Sequence, residues 1–322
     1  MSFAPLTFER APDVIIWRRE HFDARFEILS AAVAVDGAVT KPPAVIDEQS
    51  DLVKGVYEGG LKTWECASDL VEYLANGSAS KRVIGSSTFE VSHSACCTRS
   101  WFELVWCRWA VAQRCRRATS SAGCCMSSTL SMSQLRLPAC ISSTSTSRVS
   151  PERHQSQGRL ADVPCAVLQL ITVPNLLLAY AQHVQRHSGA QVTPTTAGEL
   201  NIDAALVASF LSFLERHRIE LRLFAGDWAT MPPDAMPYDL VLSSETVYEP
   251  TALPSLVSVL AKATGASGVC LVACKRVYFG VGGGEVEFLQ QSKHSGASIN
   301  TVARSTQGVE RVILSTAWPS RH

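Results

Sequence analysis

Residues 238–248 read Tyr238-Asp239-Leu240-Val241-Leu242-Ser243-Ser244-Glu245-Thr246-Val247-Tyr248. Tyr238 to Leu242 is a mostly apolar run of strand length, and it gives way to small and polar residues. A strand built this way places Ser243, Ser244, Glu245 and Tyr248 at or just beyond its carboxyl edge. In open α/β sheets ligands bind outside that edge, so these four residues are candidates to face one. The plainer alternative is that Glu245 and Tyr248 cap the next helix.

The neighbouring segments extend the pattern. Leu253 to Ala263 reads as a helix, Gly268 to Ala273 as a second buried strand, and Val309 to Ala317 as a final one. Upstream, Ala205, Leu206, Phe210, Phe213 and Leu214 recur at helical spacing. Strands alternating with helices imply βαβ units and a mostly parallel sheet. Past the second strand comes Lys275-Arg276-Val277-Tyr278-Phe279-Gly280-Val281-Gly282-Gly283-Gly284. Glycines there permit positive φ and close backbone approach. The run has neither the GxxxxGK[ST] pattern nor the dinucleotide fingerprint, so it is not a phosphate loop.

Toward the N-terminus, Trp64, Ala67, Leu70, Val71 and Leu74 predict an amphipathic helix over 64–75, between the turn signals Gly59-Gly60 and Asn76-Gly77. The simplest role for Trp64 is a core anchor. Lys81 to Ile84 reads as the start of a buried strand. Residues 1–50 read as an extension with a helix around Val14 to Phe26, set off by Pro42-Pro43. Residues 51–322 form the main domain.

Between these stretches the composition changes abruptly. Residues 85–161 hold 17 Ser, nine Arg and no Lys or Asp, and eight of the 11 Cys fall between Cys96 and Cys165. No helical or strand period persists there. His93 and Cys96 have HxxC spacing, but no second pair completes a zinc site.

Bulk properties narrow the function. With 46% hydrophobic residues, 18% charged residues and a formal net charge of zero, the chain fits a globular protein with no global pull toward nucleic acid or anionic membrane. The most apolar stretch, Ala166 to Val184, is interrupted by Gln169, Pro174, Asn175, Gln182 and His183. Met1 to Arg19 lacks the apolar core of a signal peptide. The expectation is an intracellular protein with free thiols.

Several phrases resemble the protein-histidine N-methyltransferase family, within the seven-strand class I S-adenosylmethionine-dependent methyltransferases. They are GVYEGGLKTWECASDL at 55–70, VLQLITVPNLLL at 167–178, GDW at 226–228, DLVLSSETVYEP at 239–250 and KRVYFGVGGG at 275–284. The resemblance covers roughly 51–84 and 162–322. It implies a Rossmann-like sheet, S-adenosyl-L-methionine as cofactor, and methylation of a histidine ring nitrogen in a large-subunit ribosomal protein. It also implies cytoplasmic and nuclear location, with no membrane or direct nucleic-acid partner. By the same resemblance Lys62, Thr63, Trp64, Glu65 and Cys66 line the cofactor pocket beside the methionine moiety. Gly226, Asp227 and Trp228 flank the adenine, and Ser243 and Ser244 meet the sulfonium. Glu245 and Tyr248, the catalytic candidates, face the incoming peptide with the Gly280–Gly284 loop. No metal is implied.

Two family features are missing. The first strand should lead into a glycine-rich cofactor loop, yet no GxGxG occurs in 85–161. An acidic residue should end the second strand; Asp162 stands five residues before Val167, as the family phrase requires, but Val163-Pro164 replace its Tyr-Asn. The first loop and second-strand region are thus replaced by the Ser/Arg/Cys-rich stretch. This implies weak cofactor binding and leaves two alternatives to a histidine methyltransferase: a non-catalytic remnant or scaffold, and a protein-lysine methyltransferase of the same fold. The stretch itself reads as a shifted reading frame or retained intron, against a genuine basic, disordered insert. Sequencing the spliced transcript should return an mRNA without it, and a transcript encoding these 77 residues would refute the frame-shift reading.

Overall fold

A computed structural model describes residues 1–20, 63–76, 168–188, 196–217, 221, 228 and 238–319. Strands β1 (Ser2–Thr7), β2 (Ile15–Arg19) and β3 (Gly198–Glu199) form a small antiparallel sheet in the order β2-β1-β3. Strands β4 (Tyr238–Ser244), β5 (Thr264–Lys275), β6 (Ser298–Ser305) and β7 (Arg311–Ala317) form the main sheet in the order β4-β5-β7-β6. The helices are α1 (Glu65–Ala75), α2 (Val173–His187), α3 (Ala204–His217), α4 (Leu253–Ala263) and α5 (Glu285–His294).

The main sheet is covered on both faces, and the period-two alternation of its strands decides which residue goes where. Val241, Cys270, Val272, Cys274, Val312 and Leu314 pack with α4 and with Phe288 of α5. Leu271, Ala273 and Ile313 pack with Cys66, Leu70, Tyr73 and Leu74 of α1. Because both faces are buried, β5 reads Cys270 to Cys274 as an unbroken run of fully covered residues. Helix α4 turns Leu253, Leu256, Val257 and Leu260 inward, and each such side chain contributes roughly 1.5–3 kcal/mol by leaving water.

Strand β4 pairs parallel with β5, Leu240 opposite Val269 through Ser244 opposite Ala273. The intervening 3₁₀ turn and α4 make the crossover that parallel strands require. The mostly parallel sheet expected from the sequence is corrected among the described residues: β5–β7 and β6–β7 are antiparallel. The β6–β7 link spans only 306–310 and contains Gly308 at φ 69. So short a link permits only antiparallel neighbours.

The expected helix at Val14–Phe26 is also corrected, since Ile15–Arg19 is a strand. β2 pairs along its length with β1, Phe3 opposite Arg19 through Thr7 opposite Ile15. Phe3 stacks on Trp17 with ring centroids 4.4 Å apart. Those cross-strand partners outweigh the local helical pattern over Ile15–Arg19. Phe8, Val14 and Ile16 pack on Val71 of α1, and Phe3 and Trp17 on Leu178 of α2. The described part of the predicted extension therefore shares its core with both helices.

Helices at 65–75, 204–217 and 253–263 agree with the sequence reading. α3 has no fully buried residue; Phe210 and Phe213 meet Tyr180 of α2 at 5.3 and 5.2 Å. The predicted strand at 81–84 and the stretch 85–161 lie outside the described residues. Among the described residues, no helix is long and apolar enough to cross a membrane.

Leu314 is fully buried at the centre of the main sheet. Leu314→Ala should lower stability by about 2–5 kcal/mol, read as a fall in the urea midpoint with an unchanged m-value.

Candidate functional site

Two motif blocks distant in sequence meet at the carboxyl edge of β4 and β5. α1 begins here, with Trp64 as N-cap in an extended conformation and no side-chain capping bond. The first-turn amides of a helix need partners. One comes from Glu245, whose Oε1 accepts the Cys66 N–H at 3.3 Å across 179 residues. A carboxylate at a helix N-terminus also meets the positive end of the macrodipole.

Glu245 is held in place by the sheet. Its N–H donates to the Ala273 carbonyl at 2.8 Å, continuing the parallel pairing one residue beyond β4. Its φ is 53°, in the left-handed region that a side chain rarely adopts. This turn sends the chain away from the sheet while the carboxylate stays inside, with 0% of the side chain exposed. The next helix does not draw its cap from Glu245: Glu249 caps the 3₁₀ turn Pro250–Ala252 that leads into α4, accepting from the Thr251 N–H.

The sequence reading did not include Lys275 among the site residues. It ends β5, and its Nζ lies 3.1 Å from Glu65 Oε2 and 3.9 Å from Glu245 Oε2. The same ammonium sits 5.2 Å from the Trp64 ring centroid and 5.9 Å from that of Tyr278, within cation–π range. A Lys closing an apolar strand is visible in the sequence as a charge at the ligand-binding edge. Its partners, 210 residues away on α1 and 30 away after β4, are not.

Charge and burial give the cluster its electrostatics. Partial burial alone would raise the Glu65 carboxyl, but its own amide and the Lys275 ammonium overcome this and hold it below the ordinary range. Burial, then the nearby Glu245 charge, pushes the Cys66 thiol and the Tyr278 phenol well above their usual values. Cys270 is pushed up by burial to about 12. Cys66, Cys270 and Cys274 are free, buried thiols, unsuited to nucleophilic work at neutral pH.

The glycine-rich loop closes one side. Gly283 packs so tightly that a Cβ there would lie 2.3 Å from the carbonyl oxygens of Val247 and Tyr248. The Tyr278 N–H donates to the Gly283 carbonyl at 3.0 Å, and the Glu285 N–H to that of Arg276 at 3.2 Å. Below it, Arg276 bridges Glu285 and Glu310, each at 2.9 Å. The Tyr248 and Tyr278 rings meet edge-on at 6.1 Å. On the other side of α1, Asp69 pairs with Arg311 of β7 and fixes the helix to the sheet.

The predicted residues therefore separate into three groups. Thr63, Trp64, Glu65 and Cys66 start α1, and the Cys66–Glu245 bond brings that turn to the edge formed by Ser243, Ser244, Glu245 and Tyr248. Ser243 Oγ bonds Thr246 Oγ1. Trp228 is buried in the core cluster with Tyr238, Val247 and α4. Lys62, Asp162, Gly226 and Asp227 lie outside the described residues. Among the described residues, no group of three or more His, Cys, Asp or Glu is placed to hold a metal ion.

Comparison with known proteins adds kinship to this geometry. A family model described as lysine methyltransferase matches residues 216–294. A protein of Schizosaccharomyces pombe named histidine protein methyltransferase 1 is 26% identical over 307 residues, covering 92% of this chain and 75% of its own. Its namesake in Saccharomyces cerevisiae is 26% identical over 310 residues, covering 88% and 71%. A homolog from Rattus norvegicus is 25% identical over 272 residues, covering 82% and 58%. The resemblance drawn from the sequence motifs is thus borne out by relatives aligned along most of the chain.

Gly283→Ala should displace the loop from Val247 and Tyr248, because the obstructing atoms are backbone and cannot swing aside. A stability loss of about 2 kcal/mol or more should appear in thermal melting, with loss of any activity that uses the Tyr248 edge.

Proposed function

We propose that this enzyme, a relative of the histidine protein methyltransferases, moves a methyl group from S-adenosylmethionine to a histidine ring nitrogen of a protein substrate, a large-subunit ribosomal protein. The observation that carries the reading is the Cys66–Glu245 hydrogen bond. It joins the block at 55–70 to the block at 239–250 at the sheet edge where α/β proteins bind ligands.

The described residues fit the cofactor in two respects. Ser244 Oγ is buried and makes no hydrogen bond among the described residues, a polar atom at the edge that a polar ligand would satisfy. Glu65, ionised and 56% exposed in its side chain, suits a cationic amino-acid group. We assign Thr63 to Cys66, Ser243 and Ser244 to the cofactor side, joined by Trp228 and by Lys62, Asp162, Gly226 and Asp227. Glu245 and Tyr248 belong to the acceptor side.

When bound, the cofactor supplies an electrophilic methyl group on a sulfonium. The protein's part is then mainly orientation. A neutral imidazole, with an ordinary pKa near ~6.5, offers a lone pair on one ring nitrogen and an N–H on the other. Tyr248, Tyr278 and the glycine loop wall the acceptor side, and Glu245 contributes negative charge where a positive ring forms. A lysine acceptor would need to lose a proton first. That reading draws support from the family model's description, whereas the named relatives support histidine.

A specific observation favours a second reading, a scaffold that keeps a protein-binding surface without turnover: the absence of GxGxG in residues 85–161. We place the protein in the cytoplasm and nucleus, where ribosomal proteins are made and assembled.

The purified chain, incubated with labelled S-adenosylmethionine and large ribosomal subunits, should label one protein, and peptide mass spectrometry should place the added methyl on histidine. A methyl on lysine would favour the lysine reading. No label, with no calorimetric cofactor binding even at millimolar concentration, would favour the scaffold.

A further inference from the structure

We propose that Lys275 is a positioning residue for methyl transfer: its ammonium is the countercharge that keeps the Glu245 carboxylate in place against the first turn of α1. The inference rests on the methyltransferase reading above and adds a residue to its machinery.

The geometry carries it. The Glu245 side chain is fully enclosed and that of Lys275 is 14% exposed. A buried carboxylate keeps its charge only with a countercharge and hydrogen bonds close by. The groups around Glu245 are Glu65 and Cys66 on α1, Cys274 and Lys275 on β5, and Tyr278 beyond it. Glu285, at the start of α5, and Asp69 add further negative charge. Among the described residues, Lys275 is the cation that pairs with Glu245. The nearby Arg311 already pairs with Asp69.

Lys275 also reaches each element of the site. It bridges Glu65 on α1 and Glu245 after β4 while lying over the rings of Trp64 and Tyr278. Without it, the enclosed Glu245 carboxylate would lose its ammonium partner. Glu245 would then be free to turn outward, which releases the Cys66 amide and shifts the helix start that holds Trp64 and Glu65. Lys275 therefore acts through Glu245 and need not touch the substrate.

The test compares wild type with K275M, K275R, E245Q and the K275M/E245Q double variant in the full chain. K275M should lose at least about tenfold in kcat/KM at pH 7. K275R keeps the charge and should restore it. The urea midpoint, which needs no activity, should fall by about 1 M for K275M at pH 8. Most of that loss should be regained by adding E245Q, which removes the uncompensated charge. Failure of K275R to recover the activity lost in K275M, or a midpoint that E245Q fails to restore, overturns the proposal. If wild type transfers no methyl group at any pH while the Lys275–Glu245 coupling is intact, the methyltransferase reading fails, and the role of Lys275 in that reaction fails with it.

Discussion

A carboxylate with no exposure to solvent must have its charge answered by the protein, and Glu245 shows how far such a requirement reaches. Its oxygens engage the amide of Cys66 and the ammonium of Lys275. These groups belong to α1 and β5, so the charge joins a helix near the start of the chain to a strand near its end. Removing either partner would leave a buried group uncompensated, which costs several kcal/mol, whereas an intact buried pair contributes little net stability. The pair's value lies in specifying where α1 begins, how its first turn faces the sheet and where Trp64 and Glu65 stand.

The sheet makes that placement possible. β5 carries Leu271 and Ala273 toward α1, and Cys270, Val272 and Cys274 toward α4 and α5. Helices on both faces leave the strand ends as the place where polar groups can gather. There the parallel pairing of β4 and β5 brings Glu245 beside Ala273 and Lys275 close behind. The glycine loop fits into the same corner because Gly283 presents no side chain to the backbone of Val247 and Tyr248. A left-handed Glu245 and a loop that accepts only glycine are local strains that the surrounding packing over-determines.

Much of this was legible in the residues themselves. α4 reads from its apolar spacing at Leu253, Leu256, Val257 and Leu260, and α1 from Leu70, Val71 and Leu74. β4 and β5 read from apolar runs that end in polar residues. Legibility failed where pairing outweighs local pattern. Ile15–Arg19 carries too few residues for its periodicity to identify it, and its strand state follows from β1 lying alongside. The antiparallel direction of β7 depends on the short link to β6 and on its alignment with β5, neither of which appears within β7's seven residues.

The same division runs through the site. The order of residues along the chain marks Glu245 and Tyr248 as the end of a strand, Trp64 to Cys66 as the start of a helix, and Lys275 as a charge closing an apolar run. These are local properties, set by side-chain chemistry and backbone period within a dozen residues. That Glu65, Glu245 and Lys275 form one cluster emerges on folding alone, because electrostatic partners are chosen by distance in space and by the low dielectric that burial creates. Residues 65 and 275 know nothing of each other along the chain; they meet because α1 must cover Leu271, Ala273 and Ile313, and that hydrophobic contact brings its first turn to the Lys275 ammonium.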